Sequence, residues 1–369
     1  MLDVEVWHGG KPLMQKMARN SPAKASADIG ASATAKVSRW SVKPTQFLNI
    51  GRRYFSLLLA LLVWWLWYRY TAPDSLAIVR ENIQVALTMV FGSFIAGATS
   101  EGGGAVAFPV FTKLLQVSPL DAKIFSLAIQ SVGMTAATLS ILALRVKISW
   151  PVIFWASLGG VPGIVFGAIV LTPLLPPELL RMAFTAMVAG LALTLILVNW
   201  YERERREQLP RLGAKAIGVL LLSGFFGGTM SGLVGNGIDI ICFSVMVFLF
   251  GIAEKVATPT SVVLMALNAL AGFALHAVVI GGFSPQIQSY WLAAIPVVVI
   301  GAPAGAYFCA RLSNKVIAGI LIFLITVELV SSLLIIPMTT SLTIISLLML
   351  LFFFAANYLL SRASINSWD

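Results

Sequence analysis

Two glycine-rich segments interrupt long apolar runs of the chain, and both contain residue types that bind anions. The first segment holds Ser100, Glu101, Gly102, Gly103 and Gly104. The second holds Gly235, Asn236, Gly237 and Asp239. Glycine lets a backbone unwind, and a helix that restarts after such a break directs its free N–H groups and its positive dipole end at the break. We therefore predict that the two breaks face one point near the membrane midplane and bind a small oxyanion there.

Close packing of membrane helices is the alternative role for these glycines, because small residues let helices approach one another. Ser, Glu, Asn and Asp flank the glycines at membrane depth, where an unpaired polar group is costly. These polar neighbours favour a binding site over packing alone.

The apolar span that follows each break carries further polar side chains at helical spacing. They are Ser126, Gln130 and Ser131 after the first break and Thr260, Ser261 and Asn268 after the second. Hydroxyl and carboxamide groups donate hydrogen bonds to an oxyanion without adding a charge that must be desolvated. We predict that these side chains, apart from Ser131, bind the substrate. Hydrogen bonding between helices is the alternative for them.

Carboxylates beside the breaks would repel an anion unless they were protonated. Glu101 and Asp239 are therefore the candidates for coupling transport to a proton. Asp239 could instead cap a helix N-terminus, and Glu101 could face a water-filled opening. His276 and Glu328 are further titratable residues in apolar spans, and either could simply pair with a neighbour. No arginine lies within a break, so we expect binding through dipoles and not through a fixed positive charge.

The composition indicates a membrane protein. Of the 369 residues, 59% are hydrophobic and only 11% are charged, a balance unsuited to a water-exposed surface. The net charge of +10 is concentrated in short clusters beside apolar spans, as the positive-inside rule expects, and this argues against nucleic-acid binding. Cys242 and Cys309 have neither zinc nor disulfide spacing, and we expect no metal or other cofactor.

The apolar pattern predicts an all-α polytopic protein built from two related halves. We divide the chain into a polar cytoplasmic tail (1–50), an anchor span (54–70), a first transport repeat (82–200), a basic cytoplasmic loop (201–215), a second transport repeat (216–337) and a last span (342–360). A shift of 135 residues sets Gly97 on Gly232 and Ser126 on Ser261, which indicates a duplication.

Each predicted repeat has one re-entrant, broken element and three spans, so the second repeat is inverted relative to the first. The basic loops then place both termini in the cytoplasm. One long kinked span in place of each re-entrant element is the alternative.

The breaks and the steps that follow them also carry a family pattern. It comprises residues 97–109 (GATSEGGGAVAFP) and 122–126, with a more degenerate second copy at 232–237 and 257–261. This pattern resembles the TauE/SafE family of sulfite exporters and toluene sulfonate uptake permeases, over about residues 82–336. The resemblance implies transport of sulfite, sulfoacetate or a related anion across a bacterial inner membrane. Glu101 and the Asn236-containing break depart from the family pattern, so the substrate can differ from sulfite.

The expected function is therefore transport of a small sulfur-containing anion by a multi-pass membrane protein. Its expected partners are that anion and membrane lipid, and a homo-oligomer is compatible with the sequence. A channel, or a transporter of another small organic anion, is the alternative. An intramembrane enzyme is less well supported: residues 235–239 contain one residue more than the Gly-x-Gly-Asp signature of membrane aspartyl proteases, and no His-Glu-x-x-His motif is present.

Overall fold

The computed structural model describes residues 44–102, 110–199, 206–209 and 212–363. Residues 1–43 of the predicted cytoplasmic tail, Gly103, Gly104 and residues 201–205 and 210–211 of the predicted basic loop lie outside these residues. Residues 49–369 form one compact unit. The α-helices of the described residues are α1 Pro44–Thr71, α2 Ser75–Glu81, α3 Ile83–Ala98, α4 Pro119–Ala143, α5 Trp150–Phe166, α6 Pro177–Asn199, α7 Ala214–Val234, α8 Ile238–Ser244, α9 Glu254–Ala274, α10 Pro285–Cys309, α11 Asn314–Ile335 and α12 Thr340–Arg362.

Most of these helices are long and apolar enough to cross a membrane. Among the described residues, 8 helices meet that criterion, and α1 with α2 forms a further candidate bent by 96°. The apolar helices Ile83–Ala98 and Ile238–Leu249 are shorter. The prediction of an all-α polytopic membrane protein is confirmed. Helix α7 is by itself long enough to cross a membrane. The sequence pattern had instead predicted that this segment belongs to a re-entrant element.

Both predicted interruptions are present in the helices. Helix α3 ends at Ala98 and α7 ends at Val234, where Gly235 caps the helix with a φ of 86°. Gly102 has a φ of 68° and Gly237 a φ of 154°. These values are unfavourable for a residue with a Cβ atom, so the breaks depend on glycine.

The backbone after each break repeats at the spacing that the sequence indicated. A π-helix follows each break, at Val110–Leu114 and at Val245–Leu249. At the first π-helix, the N–H of Leu115 donates to the carbonyl oxygen of Val110, and the N–H of Val117 donates to that of Phe111. At the second, the N–H of Phe250 donates to the carbonyl oxygen of Val245, and the N–H of Ile252 donates to that of Met246. Each of these residues lies 135 positions from its counterpart, the separation that also relates Glu101 to Asn236. The inverted orientation of the halves and the domain limits stay predictions.

The broken helices pack across the two halves through glycine contacts. Helix α7 packs on α5, and α3 packs on α10. A Cβ atom on Gly228 would lie 2.1 Å from the carbonyl oxygen of Gly160, and one on Gly97 would lie 2.0 Å from that of Ala302. Close packing is thus the role of these glycines, whereas the glycines within the breaks serve the backbone turn. Helices α4 and α9, which follow the two breaks, pack against each other.

One ion-pair cluster joins three loops at one face of the bundle. Lys147, before α5, and Lys255, in the first turn of α9, both bind the carboxylate of Glu207. The hydrogen bonds and positive charges of these two lysines lower the pKa of Glu207 from 4.5 to about 2. We call this the Glu207 face.

Candidate anion site

The tips of the two breaks contact each other. Asn236 Nδ2 of the second break donates a hydrogen bond to the carbonyl oxygen of Glu101 in the first. A Cβ atom on Gly102 would lie 2.9 Å from both Asn236 Nδ2 and Asp239 Oδ2. Glu101 belongs to the first half and Asn236 to the second, so the two halves meet at this contact. The two residues also occupy equivalent positions of the repeat. The structure thus brings the two predicted glycine-rich segments to one buried place.

Helix α4 presents Ser126 and Gln130 to the second break. Gln130 Nε2 donates to Ser126 Oγ at 2.6 Å and to the carbonyl oxygen of Gly235 at 3.3 Å. The Ser126 hydroxyl lies 3.4 Å from the same carbonyl oxygen. Gln130 Oε1 is buried and has no hydrogen-bond partner among the described residues. Both side chains therefore adjoin the second break, and their role in binding the substrate stays a prediction.

Asn268 of α9 lies near the end of the second break. Its side chain is 3% exposed, and neither amide atom has a hydrogen-bond partner in the described part of the chain. A Cβ atom on Gly160 would lie 3.3 Å from Asn268 Oδ1 and 2.4 Å from Ile238 Cδ1, so Asn268 is close to the start of α8. The buried Ser100 hydroxyl also lacks a partner among these residues. A buried amide without partners is costly to the fold unless a ligand satisfies it.

The other predicted hydroxyl ligands make contacts elsewhere. Thr260 donates to the carbonyl oxygen of Val256 at 2.7 Å and accepts a hydrogen bond from the Ser149 N–H at 3.0 Å, which links α9 to the start of α5. Ser261 donates to Thr258 of its own helix at 2.8 Å. Among the described residues, neither hydroxyl has a hydrogen bond to a break. The contacts of Thr260 fit the alternative of hydrogen bonding between helices, whereas Ser261 bonds within its own helix.

The first N–H groups of α8 already have partners inside the protein. Asp239 Oδ1 accepts the Gly237 N–H at 3.1 Å, which Asn236 Oδ1 also accepts at 3.0 Å. The Ile238 N–H donates to Ser231 Oγ at 3.1 Å. The sequence predicted that these amides would be free for the substrate, but in this structure protein oxygens hold them. Gly237 is the N-cap of α8, so Asp239 does not take the N-cap position that was its alternative role. It lies in the first turn of the helix, where its carboxylate accepts the Gly237 N–H.

Glu101 is the most enclosed titratable residue at the breaks. It is 0% exposed, so it does not face a water-filled opening, and both carboxylate oxygens lack hydrogen-bond partners among the described residues. Asp239 and Glu328 are close enough to act on it electrostatically. Glu328 accepts hydrogen bonds from Thr185 at 3.1 Å and from Ser332 at 2.9 Å, so it does pair with neighbours.

A buried lysine that the sequence analysis passed over adjoins the second break. Lys123 is 1% exposed, and its Nζ donates to Thr172 Oγ1 and to the carbonyl oxygen of Gly232, both at 3.1 Å. The expectation of binding through dipoles rested on the absence of arginine from the breaks, and it stays a prediction. The structure adds a buried lysine next to the second break. The signal was available: Lys123 stands inside the step at 122–126, and a lysine in an apolar span is itself a functional pointer.

Two interrupted helices that meet inside a polytopic all-α membrane protein are an arrangement found in many membrane transporters. A family model described as sulfite exporter TauE/SafE matches residues 85–332, about two thirds of the chain. The chain belongs to this family. It is accordingly a membrane transporter with a small anion as its substrate, and not an enzyme. A search of curated proteins and a search of solved structures returned no match.

Proposed function

We propose that this transporter carries sulfite, sulfoacetate or another organosulfonate and binds it where the two breaks meet. The observation that supports this site is a set of buried polar atoms without partners among the described residues, on three separate elements around the contact between the breaks. They are Ser100 Oγ, Gln130 Oε1 and both amide atoms of Asn268. Such atoms destabilise the fold unless a ligand completes their hydrogen bonds.

The chemistry of these atoms suits a small oxyanion. The Ser100 hydroxyl and Asn268 Nδ2 can donate to its oxygen atoms. Gln130 Oε1 is an acceptor, which matches an anion that carries its own O–H group, as hydrogen sulfite does. We also propose that the protein lies in a bacterial inner membrane with both termini in the cytoplasm, as the basic loops suggest.

Asp239 is our proposed coupling group, with Glu101 beside it. The Asp239 carboxylate accepts the N–H of Gly237 and so acts as an internal anion at the break. Protonation would remove the negative charge of Asp239 from the break, so a substrate anion would meet less electrostatic repulsion there. Proton binding and anion binding would then favour each other.

The test is uptake by the purified protein reconstituted in liposomes, across sulfite, thiosulfate, sulfoacetate, taurine, sulfate and chloride, with and without a proton gradient. A sulfur anion is expected to accumulate, and the gradient is expected to drive accumulation beyond the anion's own electrochemical equilibrium. Asp239→Asn is expected to retain uptake and lose the response to the gradient. Asp121→Asn is the matched control, since the Asp121 carboxylate binds Ser118 at the start of α4, away from the breaks.

Three results would count against the proposal. Failure of every sulfur anion to cross would refute the substrate. Uptake that never exceeds electrochemical equilibrium would indicate the channel alternative. A full response to the gradient in Asp239→Asn would refute the coupling role of Asp239.

A further inference from the structure

Lys123 is a buried cation without a carboxylate partner in the described part of the chain. An ammonium group has three N–H donors, and those of Lys123 have two protein acceptors, Thr172 Oγ1 and the carbonyl oxygen of Gly232. Both acceptors are neutral. An uncompensated charge at membrane depth is costly, so a third, anionic acceptor would stabilise this side chain.

Lys123 belongs to a polar stripe that leads to the proposed site. Lys123, Ser126 and Gln130 lie three and four residues apart and therefore share one face of α4. Gly235 of the second break packs on this face, since a Cβ atom there would lie 2.9 Å from the Lys123 carbonyl oxygen and 2.9 Å from Ser126 Cβ. The helical rise puts Lys123 about 10 Å along the axis from Gln130.

His276 is a second buried polar group near Lys123 that lacks partners. Its side chain is 2% exposed, and neither ring nitrogen has a hydrogen-bond partner among the described residues. It is close enough to Lys123 to interact with it electrostatically. A Cβ atom on Gly282 would lie 3.7 Å from His276 Nδ1 and 3.0 Å from Ile124 Cδ1, so the ring lies beside α4 at the level of Lys123.

We propose that Lys123 and His276 form a second anion site, where Lys123 supplies the charge that holds the transported anion before it moves along α4 to the breaks. The ligand is a small oxyanion, and its identity as a sulfur anion rests on the proposed function. An oxyanion would accept from the third N–H of Lys123 and hydrogen-bond the His276 ring. Capping of α7 through the Gly232 carbonyl is the structural alternative, and it leaves the unpartnered His276 ring unexplained.

The test compares sulfite uptake by Lys123→Gln, Lys123→Arg and the matched control Lys215→Gln, an exposed position in the first turn of α7. Removal of the buried charge is expected to raise the KM for sulfite at least about tenfold. Lys123→Arg keeps the charge, so its KM is expected within about threefold of wild type, and Lys215→Gln is expected to match wild type. Melting temperatures measured in parallel identify variants that are folded. A wild-type KM in folded Lys123→Gln, or an equal loss in Lys123→Arg, would overturn the proposal.

His276→Leu keeps the proposal testable if Lys123→Gln does not fold. The unpartnered ring makes no hydrogen bond that the fold would lose, so the melting temperature is expected to hold while the KM for sulfite rises severalfold. An unchanged KM would contradict the second site. Failure of the proposed substrate and failure of the second site give different results. If the wild type carries only another anion, the substrate assignment fails, and the same variants are assayed with that anion to test the second site. Normal sulfite transport by folded Lys123→Gln would refute the second site alone.

Discussion

Asn268 is a buried amide whose two polar atoms have no hydrogen-bond partner in the described part of the chain. Replacing a buried polar group that has no partners by an apolar one of similar size is neutral or stabilising. We therefore expect Asn268→Leu to keep or raise the melting temperature of the substrate-free protein while lowering sulfite uptake at least about tenfold. Melting temperature and liposome uptake, measured on the same preparation, check both parts.

Asn357→Leu is the control for that variant, because Asn357 is a buried asparagine of α12 outside the matched family region. Its uptake should equal that of wild type. Normal uptake by Asn268→Leu, or a loss of stability without any loss of uptake, would mean that Asn268 has a structural role only.

At this scale the sequence predicted which residues would surround the breaks better than it predicted their contacts. Ser126, Gln130 and Asn268 do adjoin the second break, because helical spacing determines which side chains share a face. Spacing does not determine which neighbour accepts a hydroxyl proton, and Thr260 is held between two helices. A lysine in an apolar span could have marked Lys123 as a candidate, but its contact with Gly232, 109 positions away in the chain, was not predictable from spacing.

At the scale of elements, the contact between α5 and α7 depends on glycine at one side of α7. A Cβ atom on Gly228 would collide with the backbone of Gly160, whereas one on Gly218 of the same helix would meet nothing within 4 Å. We expect Gly228→Ala to destabilise the protein by about 1–3 kcal/mol through overpacking. Gly218→Ala should be neutral or stabilising by about 0.5–1 kcal/mol, since alanine favours a helix.

Thermal unfolding of the two alanine variants in one detergent measures this difference, and helix propensity acts on both in the same direction. Equal melting temperatures for Gly228→Ala and Gly218→Ala would show that α5 and α7 are not in close contact.

The Glu207 face joins three loops through one carboxylate, and this makes its contribution to stability depend on pH. The folded pKa of Glu207 is lowered to about 2, so its stabilising effect is present above the unfolded pKa of 4.5 and is lost as the pH falls through 2. Glu207→Gln is expected to unfold at a lower temperature than wild type at pH 7. The difference should shrink as the pH falls below 4.5.

Because Glu207 is exposed, high salt should screen the same contribution. Melting curves of wild type and Glu207→Gln in low and high salt, at neutral and acid pH, test both trends. A difference that grows toward acid pH would contradict this account of the Glu207 face.

The glycines predicted both interruptions from sequence. The structure adds π-helices after them, which lie at the 135-residue spacing of the sequence repeat. The length of α7 was not predictable from that pattern. A run of glycine and apolar residues does not reveal where a helix ends, and the end at Val234 is set by the left-handed conformation of Gly235.

At the scale of the molecule, the two halves meet at the breaks. Glu101 and Asn236, equivalent in the repeat, touch each other, and each broken helix packs on a helix of the other half. Composition and hydropathy were sufficient to predict a polytopic membrane protein. The exchange of partners between halves was not predictable, because it depends on glycine-to-backbone contacts between residues far apart in the chain.

The most direct test of the central claim is to locate the anion with selenite, an analogue of sulfite in which selenium supplies an anomalous X-ray signal. Selenite must first compete with sulfite for uptake. Crystals of the protein grown with selenite are then expected to show a selenium peak beside the contact of Glu101 and Asn236, within hydrogen-bonding reach of Asn268. A competing selenite ion whose peak lies away from both breaks would contradict the proposed site.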